Sequence, residues 1–347
     1  MVHSLPLTGF VVIVLVIKWL WKWFSSQAST TRSKGDEYDA TRMPPYPSEP
    51  IKGREKFHIT MGLRKLDEWN WLTVDKNYMK EHEVRDALLR DERENVFQCL
   101  PESKEACAEA LEDVVNFLCK RFPGMFEQKK RGSDTEIHNK KTGEKFVFGS
   151  NNTMEPLEIA VRLTMEDLSI LMKNDEGEYY LAASASLFPV GWRVQDRIGW
   201  TISRLHGPVP QWREKIGHSV NKFMCRLTPE SPMERSNYFL EIRQPGEDLS
   251  STLFRPDGLM EQELSPWPDD ILIRRERQTF RRLPRTGALL FSVKTTLTTL
   301  SELPLQEVQN LATEISNWPE DMAAYKGRNI WGKKVLDYCN QRVSAGR

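Results

Sequence analysis

The stretch LSILMKNDEGEYYLAASASLF, residues 168–188, decides how the rest of the chain reads. Its two strand-like runs, Leu168–Lys173 and Tyr179–Phe188, flank Asn174-Asp175-Glu176-Gly177, a cluster of turn formers, which predicts a β-hairpin. Beyond it the period lengthens. Val194, Ile198 and Leu205 predict a helix ending at Gly207-Pro208. Trp212, Ile216, Val220, Phe223, Met224 and Leu227 predict a second helix, closed by Pro229. Strand-like runs return at Tyr238–Arg243, Ile271–Leu283 and Ala288–Leu297.

Two strands, helices and then three strands is the order of a PAS-like domain, although other α+β folds share it. The fold class expected is α+β: a PAS-like antiparallel sheet with helices packed on one face, its core at about residues 165–300. Upstream, Cys107, Leu111, Val114, Val115, Leu118 and Phe122 recur at helical spacing, with Ser103 to cap and Pro123-Gly124 to stop. A weaker stripe over Asn77–Asn95 predicts another helix, and Leu305, Val308, Leu311, Ala312 and Ile315 a C-terminal one. No Pro/Gly/Ser-rich linker and no internal repeat interrupts residues 55–342, which therefore read as one domain.

The N-terminus differs. LTGFVVIVLVIKWLWKWF, Leu7–Phe24, would span about 27 Å as a helix and predicts a membrane anchor at residues 1–24. Lys18 and Lys22 can snorkel, and Trp19, Trp21 and Trp23 form an aromatic belt. The rival reading is a signal peptide cut at Ser26-Gln27-Ala28. Against it stand an n-region without Lys or Arg and the bulky residues that end the apolar run. Lys18, Lys22, Arg32 and Lys34 follow the span, so the expected topology is single-pass, with the body in the cytoplasm at the endoplasmic reticulum or a similar membrane. Asn151-Asn152-Thr153 would carry a glycan were the body lumenal. Residues 25–54, rich in Ser, Thr, Pro and charge, read as a flexible tether.

Composition narrows the chemistry. The 347 residues carry 49 basic and 49 acidic side chains, so no basic footprint points to nucleic acid. The five cysteines include no CxxC pair, which leaves no common zinc or iron–sulfur spacing. The six histidines form no HExxH, and GxGxxG, GxxxxGK[ST] and GxSxG are absent. No flavin or NAD(P) site is signalled.

Two local features remain. In Arg204-Leu205-His206-Gly207-Pro208-Val209-Pro210, His206 sits at a predicted helix end before a rigid turn. It reads either as a C-cap favoured by the helix dipole or as a metal ligand on a stiff element. In Arg274-Arg275-Glu276-Arg277-Gln278-Thr279-Phe280-Arg281-Arg282, strand alternation puts Arg275, Arg277, Thr279 and Arg281 on one face. They read either as a solvated face with charge pairs or as a carboxylate clamp. Charge is unevenly spread. Eight acids face two arginines between Glu241 and Asp270, and six arginines face Glu276 between Arg274 and Arg285. The two blocks either clamp an acidic group or pair with each other.

Several ordered motifs together resemble the haem-dependent oxidative N-demethylase alpha-subunit-like family. They are Lys56-Phe57-His58-Ile59-Thr60-Met61-Gly62-Leu63, Trp71-Leu72-Thr73-Val74-Asp75, Leu187-Phe188-Pro189-Val190-Gly191-Trp192, the His206 turn, Ser265-Pro266-Trp267, and Arg275 to Pro284 with Thr286-Gly287. The resemblance implies haem b in a PAS-like fold and oxidation, with O2, of an N-methyl amine or a larger secondary metabolite to amine and formaldehyde. His206 is then the candidate axial ligand. Arg275, Arg277 and Arg281 are candidate propionate or substrate residues, and Tyr179, Tyr180 and Trp192 candidate lining. A separate reductase must supply electrons, since the chain shows no electron-carrying motif of its own. Two other readings stay open: a haem-binding PAS-like sensor without turnover, and a membrane-tethered binding protein in which His206 is only a cap.

Overall fold

A computed structural model describes residues 39–152, 154–244, 246–258 and 267–346. Among them the strands are β1 Arg64–Lys65, β2 Phe97–Cys99, β3 Phe126–Arg131, β4 Asp134–Asn139, β5 Lys145–Phe148, β6 Asp167–Lys173, β7 Tyr179–Ala185, β8 Met233–Ile242, β9 Ile271–Arg282 and β10 Leu289–Thr299. The helices of eight residues or more are α1 Tyr78–Asp91, α2 Lys104–Arg121, α3 Pro156–Leu163, α4 Gly217–Arg226, α5 Leu305–Ser316 and α6 Arg328–Ser344. The fold is mixed α+β around an antiparallel sheet ordered β1-β8-β9-β10-β6-β7-β2.

The β6–β7 hairpin forms where its turn chemistry places it, with Gly177 at φ +86° closing the connection. Ala182 is an extra residue in β7, because Leu171 pairs Leu181 while Ile170 pairs Ala183. A bulge of this kind reverses the alternation. Tyr179 and Leu181 therefore face one apolar cluster, and Ala183 and Ala185 face another on the opposite side.

Both faces of the sheet are covered, not one as expected. On one side α1, α2 and α3 pack with Leu168, Ile170 and Leu290. On the other, the chain from Ile202 to Leu227 packs on Leu171, Leu181, Phe280 and Leu289. A third cluster joins α5 and α6 to Leu240, Ile242, Ile271 and Ile273 at one end of β8 and β9. Helix α2 buries the stripe its spacing predicts, Leu111, Val114, Val115 and Leu118 each being fully buried. Leu111→Ala should cost about 2–5 kcal/mol, a cavity in a close-packed layer, read as a lowered midpoint in urea unfolding.

Two expectations change. The single helix expected over residues 194–205 is two short turns, Val194–Arg197 and Ile202–Leu205. Gly199, at φ +79°, donates to Leu181 O between them, and Leu181 N bonds back to Trp200 O. The chain gives up helical bonds there to pair with β7. The second helix starts later than its stripe: a π-turn at Trp212–Ile216, entered through Gln211 at φ +60°, precedes α4. A three-stranded sheet, β3-β4-β5, also covers residues for which no strand was expected.

Residues 39–347 group as one compact unit. Residues 39–54, which composition assigns to the tether, pack on the body: Ala40 and Ile51 are buried, and Asn310 Nδ2 donates to Ile51 O at 2.7 Å. The anchor expected at Leu7–Phe24 lies outside the described residues. Among the described residues no helix is long and apolar enough to cross a membrane.

Candidate functional site

Between the sheet and the chain from Ile202 to Met224 lies a cavity of about 550 Å³, within the usual size range of small-molecule and cofactor sites. Its sheet wall is apolar at Leu171, Leu181, Phe280 and Phe291, and Trp212, Val220 and Met224 face it. Phe57, Ile59 and Met61, from one of the sequence motifs, border it as well, as does Trp192. Tyr179 and Tyr180 do not: Tyr179 donates to Met224 O at 3.3 Å and Tyr180 to Glu102 at 3.1 Å.

His206 follows the Ile202–Leu205 turn, whose N-cap Thr201 accepts from Arg204 N. Its backbone N–H donates to Ile202 O at 3.1 Å, closing the turn, while its ring lines the cavity. Cap and cavity residue are thus one side chain. Nδ1 lies 2.9 Å from Ile202 O. A carbonyl oxygen only accepts, so Nδ1 carries the proton and Nε2 keeps a lone pair. The ring stacks on Trp212, with centroids 4.1 Å apart and planes inclined by 10°. Burial lowers the His206 pKa first, the charges of Arg235 and Arg197 lower it further, and the bond to Ile202 O opposes them. The ring is therefore neutral at pH 7, with a fixed tautomer, which is the state a metal-ligating histidine needs.

The arginines of β9 lie otherwise than a clamp requires. Alternation sends Glu276, Gln278 and Phe280 to the His206 side and Arg275, Arg277 and Arg281 to the other. Arg275 and Arg277 border the cavity, but their guanidiniums are already engaged. Arg275 pairs Glu307 at 2.6 Å and donates to Glu49 O. Arg277 holds Glu234 at 2.6 Å, donates to Trp71 O and lies on the Tyr46 ring. Arg281 is outside the cavity, stacked on Trp71 beside Glu68 in a separate pocket of about 200 Å³. The acidic and basic blocks of the sequence meet in one ion pair, Glu241 with Arg274; Arg255 pairs with Glu241 and Glu247 inside the acidic block, and Arg275, Arg277, Arg281 and Arg285 find their carboxylates elsewhere.

Of three residues that present charge to the cavity, the sequence singles out only Glu276, and that as an ionised partner of its neighbouring arginines; Arg235 and Lys326 are not singled out. Arg235, on β8, lines it with a buried Nε that has no hydrogen-bond partner. Burial lowers its pKa, and Glu276 opposes that shift. Glu276 accepts from Gln278 at 2.8 Å, and burial raises its pKa. Lys326 also borders the cavity; its ammonium donates to Tyr238 O at 2.9 Å and burial pushes it down to about 8. Strand β8 was expected to start at Tyr238, so Arg235 fell in an apparent loop. Only the period-2 run back to Met233 would have revealed it. Among the described residues no group of three or more His, Cys, Asp or Glu side chains could hold a metal ion.

A family model for haem-dependent oxidative N-demethylase, alpha subunit-like proteins matches residues 62–336. The match covers the whole sheet, the His206 turn and the helices up to α6. With more than half of its length matched, the chain belongs to the haem-dependent oxidative N-demethylase, alpha subunit-like family.

Proposed function

We propose that this chain binds haem b in the cavity with His206 as axial ligand, and oxidises an N-methyl amine with O2 and electrons from a separate reductase. Bound haem would supply the activation of O2. Two electrons and two protons balance the reaction: amine and O2 in, demethylated amine, formaldehyde and water out. The observation that carries the reading is the neutral His206 ring with its free Nε2, set in a cavity of about 550 Å³ whose sheet wall is apolar there. Arg235 fits it: its buried Nε, like that of Arg275, has no hydrogen-bond partner, but unlike Arg275 and Arg277 it forms no ion pair among the described residues, which suits a propionate carboxylate. The five strands β7-β6-β10-β9-β8 pair in the order 2-1-5-4-3 within the core, which supports the PAS-like reading.

The chain's own residues divide the work. The apolar walls exclude water, which strengthens every electrostatic interaction inside. Glu276 borders the cavity with its pKa raised by burial, so it keeps its proton to a higher pH than a free carboxyl would and is placed to pass one toward the cavity. Purified protein reconstituted with haem should show a Soret band and release formaldehyde with a surrogate reductase and a secondary or tertiary methylamine. No Soret band after reconstitution would overturn the reading. Haem binding with no turnover across an amine panel would favour the sensor instead.

Acid sensitivity follows from the lowered His206 pKa. A protonated imidazole cannot ligate iron, and this ring protonates only below the ordinary value of about 6.5. Haem retention should therefore stay flat as pH falls through about 6.5 and drop only at more acidic pH. A Soret titration with its midpoint at or above about 6.5 would contradict the neutral, buried ring.

A further inference from the structure

The segment that holds His206 turns a basic face to solvent. From Arg204 to Arg226 the sequence places Arg204, Arg213, Lys215, Lys222 and Arg226 against one acid, Glu214, in a chain of zero net charge. All five cations are exposed. None has a carboxylate within ion-pair distance among the described residues, whereas Arg275 and Arg277 of the sheet are each paired. Arg204 lies on the Trp200 ring at 3.8 Å, and Lys215 feels Asp321 only at longer range. The same elements present Trp212, Ile216, Val220 and Met224 to the cavity. Basic face and cavity wall are thus two sides of one layer a single helix thick, about 10 Å, with the His206–Trp212 stack inside it.

Like charges without ion-pair partners repel one another, but they raise encounter rates with an oppositely charged partner. Electron-transfer contacts are typically small and weak and depend on such steering. Here the steering field lies over the cavity wall that carries His206 and Trp212. We propose that the face formed by Arg204, Arg213, Lys215, Lys222 and Arg226 docks an acidic electron-donor protein. The inference rests on the haem reading above for its purpose, and on exposure and charge for its location.

The test uses the full chain and, as probe, a plant-type [2Fe–2S] ferredoxin, a strongly acidic protein. Binding is measured with and without haem, at about 10 mM and about 300 mM ionic strength, where screening lengths differ severalfold. Affinity should fall steeply with salt. Lys222→Glu with Arg226→Glu should weaken it at least about tenfold at low salt, and the Gln pair should weaken it by less. Both side chains point outward from α4, so the Soret band and reduction by dithionite should stay as in the parent chain. Reduction by the ferredoxin should slow by a similar factor. Equal affinity in parent and charge-reversed chains would overturn the proposal. So would binding to phosphatidylserine vesicles through these residues with none to ferredoxin. A chain without a Soret band that still binds ferredoxin through this face would remove the haem reading and leave the docking surface standing.

Discussion

Replacing His206 with Ala is expected to abolish the native haem spectrum and formaldehyde release while leaving the chain folded. The backbone bond that closes the helical turn, from His206 N to Ile202 O, survives the substitution. What the fold loses is one side-chain hydrogen bond and the stack on Trp212, each worth about 0.5–1.5 kcal/mol. What the site loses is larger. Removing even an outer partner of a metal-bound histidine costs about 10–100-fold in metal affinity, so loss of the ligand itself should exceed that range. Exogenous imidazole should partly restore the spectrum, because the space left faces the cavity and Trp212 remains to stack on it. Far-UV circular dichroism and the urea midpoint report folding; the Soret maximum and a formaldehyde assay report the site. An unchanged Soret maximum in the folded variant would assign the iron to another residue.

Much of this architecture is legible in the sequence, for a physical reason. The β6–β7 hairpin and the strands β8 to β10 stand out as strand-like runs, those of β6 and β7 buried on both faces, and helix α2 follows a period of 3.6 because it buries one stripe. The sheet β3-β4-β5 was hidden because strands such as Phe126–Arg131 bury one residue, half-bury the next and leave the last four exposed. β3 and β4 are mostly polar and β5 is only four residues long, and Phe126, Ile137, Phe146 and Phe148 tie them to the core. The break at Gly199 was hidden because its cause is a contact with β7, not a local preference. The site was half visible. A histidine before a Pro-containing turn stands out, and so does an arginine-rich strand. Which arginines are free does not, since their partners, Glu234, Glu241 and Glu307, lie 43, 33 and 32 residues away. Alternation gave two faces for β9 but not which of them meets the cavity. That was set by where the Ile202–Leu227 chain packs.

The largest stability effect is expected at Glu241, and it should be unequal between the two members of its ion pair. Arg274 and Glu241 are both fully buried, and Arg274 Nε donates to Glu241 Oε1. Arg274 Nη2 also donates to Thr252 O at 2.7 Å and Leu253 O at 3.3 Å, joining β9 to the chain near residue 253. Arg255 lies 3.4 Å from the other oxygen of Glu241 and 2.5 Å from Glu247. Glu241→Gln strands the Arg274 cation where water cannot reach it, and should cost about 3–5 kcal/mol. Arg274→Met removes a cation but leaves Glu241 the company of Arg255, so its cost should be smaller. The double variant Glu241→Gln with Arg274→Met should be less destabilised than the sum of the two single replacements, since no uncompensated cation remains at Arg274. The consequence reaches the cavity, because Arg255 N bonds Pro189 O, and Phe188, Pro189 and Val190 border it. Loss of Glu241 should therefore also weaken haem retention, whereas an exposed substitution such as Lys222→Gln should not. Urea unfolding of the four chains checks the order. Equal costs for Glu241→Gln and Arg274→Met would mean that Arg255 contributes nothing to holding the buried carboxylate, and that the network is a simple pair.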